Sequence, residues 1–349
     1  VDLSASYILQ DNKNMIAAGK YFNPLPALYL FPRGDDFDNV RLYQRWDESR
    51  NLYTQAWDYG SGDMSFQNPY WIMNKMINQT KKRRYMLSAN LKYDVTDWLD
   101  VTGRVKVDNA DMDITEKRYA GTDTNFAGEK GMYSIIKRND RQIYADAIAN
   151  IDLTFAGDYH LSANVGTSLK DVRMDFMGWG GDLRKIPNFF SITNISTTNY
   201  KEREDGSHIQ SQSIFANVEL AWKSMLYLTV TGRNDWESAL AFSKYKSFFY
   251  PSVGLSAVVS EMVDMPEWFS FLKVRGSYSA VGSSYAAYLT KPYYDYKGQT
   301  HEWDSLHRFP NENLKPEKTK SWEVGLNARF FGGKLNFDAT WYRSDTFNQ

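Results

Sequence analysis

Residues 217–235 read NVELAWKSMLYLTVTGRND. Apolar side chains recur at every second position, at Val218, Leu220 and Trp222, then at Leu226, Leu228 and Val230 beyond a short turn. Period two marks a strand with one dry face and one wet face. The same unit recurs along the chain. Leu87, Ala89, Leu91 and Tyr93 alternate with polar residues, turn near Thr96-Asp97-Trp98, and return as Leu99, Val101, Gly103, Val105 and Val107. Further hairpins place Ile151, Leu153 and Phe155 against Tyr159, Leu161 and Val165, and Val253 and Leu255 against Val274 and Tyr278. The last pairs Trp322, Val324 and Leu326 with Ala339 and Trp341. Its bend is Gly332-Gly333, a dipeptide that supplies the positive φ angles of a tight turn.

About ten strands are readable, each near the roughly 9–11 residues that cross a bilayer when tilted. Connections inside each hairpin are short, except at residues 260–270, which fit a short amphipathic helix carrying Trp268 and Phe269 to an interface. Connections between hairpins are long: residues 111–140, 171–207, 236–247 and 282–317. Short turns on one side and long loops on the other belong to an outer-membrane barrel. The fold class read here is all-β, an antiparallel transmembrane β-barrel with long extracellular loops. Residues 1–83 form the end of a strand followed by one long extracellular loop, because three prolines lie between Pro24 and Pro32. Residues 84–349 form the barrel meander.

Composition agrees. The 41 basic and 42 acidic residues balance, which argues against nucleic acid as the main partner. Mean hydropathy is -0.56, and no apolar run is long enough for a transmembrane helix. A barrel tolerates this, since only alternate residues meet lipid. The 24 Tyr, 20 Phe and 11 Trp fit an aromatic girdle at the membrane interface plus loop aromatics. Cysteine is absent, so no disulfide staples the fold. The opening VDLSASYIL has neither the basic nor the apolar region of a signal peptide.

Four stretches carry a family resemblance: LTVTGRNDWESAL at 228–240, NLKPEKTKSWEVGL at 313–326, FYPSVGL at 249–255 and LKVRGSY at 272–278. With NPY at 68–70, they resemble the barrel of a SusC/RagA-type TonB-linked outer-membrane transporter of Bacteroidota. The resemblance implies a plugged barrel of about 22 strands. It implies import of large nutrients, oligosaccharides or peptides, powered through TonB, with a SusD-like lipoprotein as lid. A plug domain, half of the strands and a terminal strand ending in an aromatic do not fall within these residues. The expectation is therefore an internal segment of a larger transporter, since ten strands with two open edges would aggregate alone. A passive porin or surface-binding barrel is the alternative.

No catalytic constellation stands out. His160, His208, His301 and His307 are scattered without metal-ligand spacing. Asp35, Asp36 and Asp38 cluster hard oxygens of the kind calcium takes, without the spaced loop and bidentate Glu of a dedicated site. The other reading is a solvated turn, with no cofactor. Loop aromatics are the candidate substrate contacts: Trp57, Tyr59 and Trp71 in the first loop, Trp179 in a later one, and Tyr293, Tyr294 and Trp303 in the last. Aromatic faces stack on sugar rings and suit wet interfaces, but they also pack loop to loop. The charged register, Lys92, Asp100, Arg104, Lys106, Asp146, Asp152, Lys273, Arg275, Glu323, Arg329 and Asp338, is assigned to the lumen. A Lys or Arg facing lipid at mid-membrane would cost about 2–4 kcal/mol.

Overall fold

A computed structural model describes residues 1–59, 66–283, 285–292, 294, 296–297, 302–304 and 309–348. Its main body is one antiparallel sheet of eleven strands, each beside its neighbour in sequence. The first strand is β1 (Asp2–Lys13). The loop after it holds α1 (Pro24–Tyr29), α2 (Asp38–Arg41), the hairpin β2 (Gln44–Asp47) and β3 (Leu52–Gln55), and α3 (Pro69–Lys75). The meander follows as β4 (Met76–Thr96), β5 (Leu99–Tyr119), β6 (Gly131–Phe155), β7 (Tyr159–Leu183), β8 (Ile195–Trp222), β9 (Leu226–Glu237), β10 (Ser247–Val258) and β11 (Phe269–Ser283). A two-residue pair, β12 (Tyr296–Lys297) and β13 (Glu302–Trp303), decorates the last loop. Then β14 (Glu317–Phe330) and β15 (Leu335–Phe347) close the series.

Register confirms the faces read from the alternation. One pairing row runs Leu99, Ile151, Ala163, Val218, Val230, Val253, Tyr278 and Trp322 across eight strands. It is apolar throughout, and most of its neighbours on that face are exposed aliphatics or aromatics, among them Leu91, Val105, Val165, Leu228 and Leu255. An exposed apolar belt of this extent suits lipid rather than water. The adjacent row, on the other face, runs Asp100, Asn150, Asn164, Asn217, Thr231, Ser252, Ser279, Ser321 and Ser344. Every charged residue assigned to the lumen shares that second face.

The row also measures the tilt. Leu99 opens β5 beside its turn, whereas Trp322 stands eight residues before the end of β14. Seven strand-to-strand steps separate them. With about 3.3 Å per residue and about 4.8 Å per strand, the ladder climbs about 26 Å over about 34 Å, a tilt of about 38°. Barrels close at roughly 35–45°.

The short turns are tight. Lys223 and Ser224 both take positive φ, 51° and 56°, as does Gly332-Gly333 at 67° and 85°. The first pair does so without glycine, which carries steric strain of about 1–2 kcal/mol per residue. Aromatics collect beside these turns: Phe155 stacks on Tyr159 at 5.6 Å, and Trp268, Phe269 and Phe330 form a stack. At the far edge of the belt stand Tyr85, Trp236, Phe249 and Trp322. Two aromatic bands flanking an apolar belt are the girdles of a transmembrane barrel.

Three expectations change. β4 to β8 are 21–28 residues long, not 9–11. The supposed loops 111–140 and 171–207 are mostly strand, leaving connections of residues 120–130 and 184–194. Above the lipid the lipid-facing positions turn polar, and the apolar alternation moves to the other face, with Ala110, Met112 and Ile114 in β5 and Val172, Met174 and Phe176 in β7, while the ladder continues. Cross-strand polar pairs such as Arg83–Asp113 at 2.9 Å and Asn139–Asp111 at 2.7 Å line that part. The first strand runs to Lys13 and β4 begins at Met76, so the first loop is residues 14–75 and contains short elements. The proposed helix at 260–270 is a single 3-10 turn, Val259–Glu261, cut short before Pro266.

Val230 lies on the lipid face four residues above its turn, about 10 Å into the membrane after tilt. In the full-length receptor, Val230→Lys should lower unfolding stability by about 2–4 kcal/mol, and Thr231→Lys by much less. Heat-dependent gel mobility or urea unfolding in detergent reads both. Equal losses would reverse the assignment of faces.

Candidate functional site: lumen wall and extracellular loops

The lumen wall is built from short polar side chains joined sideways. The Asn150 amide donates to Asp100 at 2.7 Å, and Asn164 donates to Asn150 at 3.4 Å. Asn217 donates to Asn164 at 3.3 Å, and Thr231 to Ser252 at 2.9 Å. Two rows higher the wall is charged. Arg104 grips Asp146 with two parallel contacts, Nε to Oδ1 at 2.9 Å and Nη2 to Oδ2 at 2.7 Å. The Asp146 carboxylate is 0% exposed. Such a fork is the strongest carboxylate pairing a side chain offers. Farther round, Arg233 bonds Asp235 and Ser213 at 2.8 and 2.7 Å, and the Tyr250 hydroxyl donates to Asp235. Arg275 reaches Glu323 and Asp338. These groups neutralise one another and make a polar wall.

Among the described residues, the extracellular loops form two assemblies. The first joins loop 14–75 to the β5–β6 and β7–β8 connections. Asn68 is its hub: its side chain caps α3 by accepting from Tyr70 and Trp71, and donates to the carbonyls of Val40 and Ala56. An Asn cap followed by Pro at the first helical position is a strong local signal, and it explains NPY. Trp71 is 0% exposed, packs with Ile72 and Met76, and donates to Thr122 at 3.0 Å. Gly121, at φ +94°, lies so near β3 that an added Cβ would meet the Thr54 Cα at 2.6 Å. Asn188 accepts from Ala120, and Asn194 fastens 185–189 through four hydrogen bonds.

The second assembly ties loop 238–246 to the loop before β14. Ser243 donates to the Leu314 carbonyl at 2.7 Å, Lys244 to that of Glu312 at 2.8 Å, and Lys315 lies over Tyr245. The LKPE stretch therefore fastens two loops together.

The candidate aromatics divide. Trp57 meets Tyr59 at 5.0 Å, and Tyr59 also touches Phe31, so these two form a half-buried cluster. Trp71 is loop core and offers no face to cargo. Trp179 stacks on Tyr200 at 4.7 Å, on the ribbon of β7 and β8. Tyr294 and Trp303 are 57% and 70% exposed in the last loop, Trp303 against Tyr296. Tyr293, His301 and His307 lie outside the described residues.

Asp35, Asp36 and Asp38 do not converge. Asp35 bonds the Tyr59 hydroxyl, Asp36 accepts from the Asp38 backbone, and Asp38 pairs with Arg41 at 3.2 Å. Among the described residues, no three His, Cys, Asp or Glu side chains are placed to hold a metal ion. What the reading missed is a cavity of about 550 Å³ beneath α1 and α3, lined by Met15, Leu25, Ile72, Met73, Met76 and Arg118. Its residues are scattered in sequence and share no motif.

The chain belongs to the TonB dependent receptor-like, beta-barrel family, whose profile matches residues 26–349. The TonB-dependent receptor P26 of Formosa agariphila is 24% identical over 315 residues, which are 84% of this chain and 31% of that protein. Among solved structures, the RagAB peptide transporter superposes with a TM-score of 0.69 at 17% identity, over 83% of this chain and 33% of that one. The RagAB peptide importer in its open-open state gives 0.71 at 18% identity, over 82% and 32%. The siderophore receptor PiuA from Acinetobacter baumannii gives 0.50 at 13%, over 97% and 47%. The chain spans about a third of the length of the curated relative and of the RagAB chains. It contributes strands to a β-barrel of the bacterial outer membrane.

Two outcomes test the loop assembly in the full-length receptor. Asn68→Ala removes a cap, worth about 0.5–2 kcal/mol, and leaves the buried Val40 carbonyl without its partner at about 1–3 kcal/mol, with a smaller loss at the half-buried Ala56 carbonyl. Limited proteolysis should then cut within residues 14–75 while the barrel persists. An unchanged digest would deny Asn68 its role. The Asp35 carboxylate, by accepting the Tyr59 hydroxyl proton, raises the tyrosine pKa above its ordinary value. The contact is intact below the free-tyrosine pKa of about 10 and is lost as pH rises through the higher folded value. The phenolate absorbance of Tyr59 should move down in Asp35→Asn, and no movement would refute the contact.

Proposed function

We propose that this chain is the barrel segment of a TonB-dependent importer of large nutrients, peptides or oligosaccharides, working beneath a SusD-like lipoprotein. The observation that carries this reading is the pairing of a lipid-facing belt and polar lumen wall with loops fastened into two ordered assemblies. A polar wall suits a hydrated cargo path, and fixed loops suit the capture of a specific cargo. The family and the SusC-type stretches support energy coupling through TonB. The likeness to a peptide transporter supports peptides among the two cargo classes. In this reading Trp57, Tyr59, Trp179, Tyr293, Tyr294 and Trp303 are the aromatic contacts offered to cargo or lid, with Tyr294 and Trp303 the most open.

The test is uptake of labelled oligopeptides and oligosaccharides by cells that carry the full-length receptor. One class should accumulate, and its uptake should fall at least tenfold when TonB is removed or the proton-motive force is collapsed. Uptake that survives both treatments would replace this reading with a passive pore. Deleting the cell's SusD-like lipoproteins without any change in uptake would sink the partner.

A further inference from the structure

The strands change character at one level on their outward face. Climbing from the short turns, the apolar run gives way to an ion or an amide after Leu9 on β1, Tyr85 on β4, Val107 on β5, Ile143 on β6, Leu169 on β7 and Ile214 on β8. These residues do not share one pairing row. Val107 stands in the row of Gln210, so the margin drops four residues over the three strands to Ile214 on β8. It drops four more over the next four strands, to Trp322 in the row of Val218. A tilt of about 38° moves a level line about one residue down each successive strand. The margin is therefore a plane, the extracellular edge of the hydrocarbon. Side chains just above it stand among lipid headgroups.

That level is charged, and cations are in excess. On β4 to β7 the outward face carries Lys81, Arg83, Lys137, Arg141 and Arg173 against Asp111, Asp113, Asp171 and Asp175. β1 and β15 each add one charge of each sign, and β14 adds Lys318 and Lys320. The carboxylates are already engaged. Asp113 takes Arg83 at 2.9 Å, Asp175 takes Arg173 at 2.8 Å and Asp111 takes the Asn139 amide at 2.7 Å. Asp171 takes Gln210 at 2.7 Å and His208 at 2.8 Å. Lys81, Lys137 and Arg141 are exposed and, among the described residues, hold no ion pair. Lys81 and Lys137 flank Asp113 in one pairing row, so three cations, with Arg83, surround a single carboxylate. Arg141 stands directly opposite Arg173, a like-charge pairing that destabilises a ladder. Among the described residues the periplasmic margin has nothing comparable. There the outward strand positions reach the turns as Leu91 and Tyr93, Leu153 and Phe155, and Leu220 and Trp222.

The excess sits on one leaflet only, directly above a surface that already meets acyl chains. In a bacterial outer membrane that leaflet is built of phosphorylated glycolipid. Arginine and lysine are the side chains that bind phosphate oxygens. We propose that the outward collar of β4 to β7 binds the phosphate groups of an outer-leaflet glycolipid. Lys137 and Arg141 are its principal contacts, with Lys81, Arg83 and Arg173 around them. The acyl chains of the same lipid lie on Val107, Ile143 and Leu169 below. A phosphate over Arg141 and Arg173 removes the repulsion between them. The site faces the membrane rather than the lumen, so it stands whatever the cargo is.

The test uses the purified full-length receptor in detergent and three probes: a diphosphorylated glucosamine-disaccharide lipid, the same lipid without its phosphates, and inorganic phosphate. By native mass spectrometry the phosphorylated lipid should bind at least tenfold tighter than the dephosphorylated one. The double variant Lys137→Gln, Arg141→Gln should remove that difference. The double variant Lys106→Gln, Lys170→Gln changes two lumen-facing lysines at a similar height and should keep it. Asp113→Asn, which removes a competing carboxylate, should tighten the phosphorylated lipid. Heat-dependent mobility checks that the variants remain folded. Equal binding of the two lipids overturns the proposal. So does a difference that survives in the outward variant, one lost equally in the lumen variant, or weaker binding by Asp113→Asn. Displacement of the lipid by an equimolar amount of inorganic phosphate overturns the lipid as ligand.

Discussion

In a hydrocarbon layer every backbone N–H and C=O must find a partner within the protein. The eleven-stranded ladder is the answer to that requirement, and its register decides the rest. Once Val218 is opposite Val230 and Asn217 opposite Thr231, each residue of both strands is committed to lipid or lumen. A slip of one residue would turn every side chain to the wrong face. The continuity of the apolar row from Leu99 to Trp322 shows that no such slip occurs across eight strands. The lumen side inherits its order from the same pairing: Asn150, Asn164 and Asn217 meet because the ladder sets them side by side.

Outside the membrane the requirement changes. Water satisfies exposed backbone, so strands there need no apolar face, and loops need another source of order. Asparagine supplies it, because its amide donates and accepts at once. Asn68 joins a helix start to two distant carbonyls, Asn14 bridges the first loop to β4, and Asn188 and Asn194 clasp the connection between β7 and β8. Trp71 fills the centre of this assembly as a hydrophobic core would in a soluble domain.

What was legible in the sequence follows the same division. The membrane part was readable strand by strand, because lipid on one side and water on the other write a period of two. The charged register was readable for the cost of placing Arg104 or Lys273 in lipid. The extensions of β4 to β8 were not, because the phase changes there: in KDVRMDF at 170–176 the apolar residues Val172, Met174 and Phe176 alternate on the face of Asn164, out of step with the lipid-facing row of β7. The aromatics of the loops were visible as residues but not as contacts. Nothing local distinguishes Trp71, which is core, from Trp303, which faces water. The cavity drew on residues up to a hundred positions apart, joined only by the closing of β1, β4 and β5.

The unequal strands give this stretch of wall a slanted top. β8 has 28 residues and β9 beside it only 12. At about 3.3 Å per residue and a tilt of about 38°, the step between them is roughly 40 Å high. Beyond Ser211 the outer part of β8 therefore has β7 on one flank and, among the described residues, no strand on the other. Its free backbone turns to side chains of the loops instead: His208 donates to the Tyr288 hydroxyl at 3.1 Å and Gln210 to the Ser238 hydroxyl at 2.8 Å. The step in the wall is thus sealed by loop side chains where a neighbouring strand would otherwise have continued the ladder.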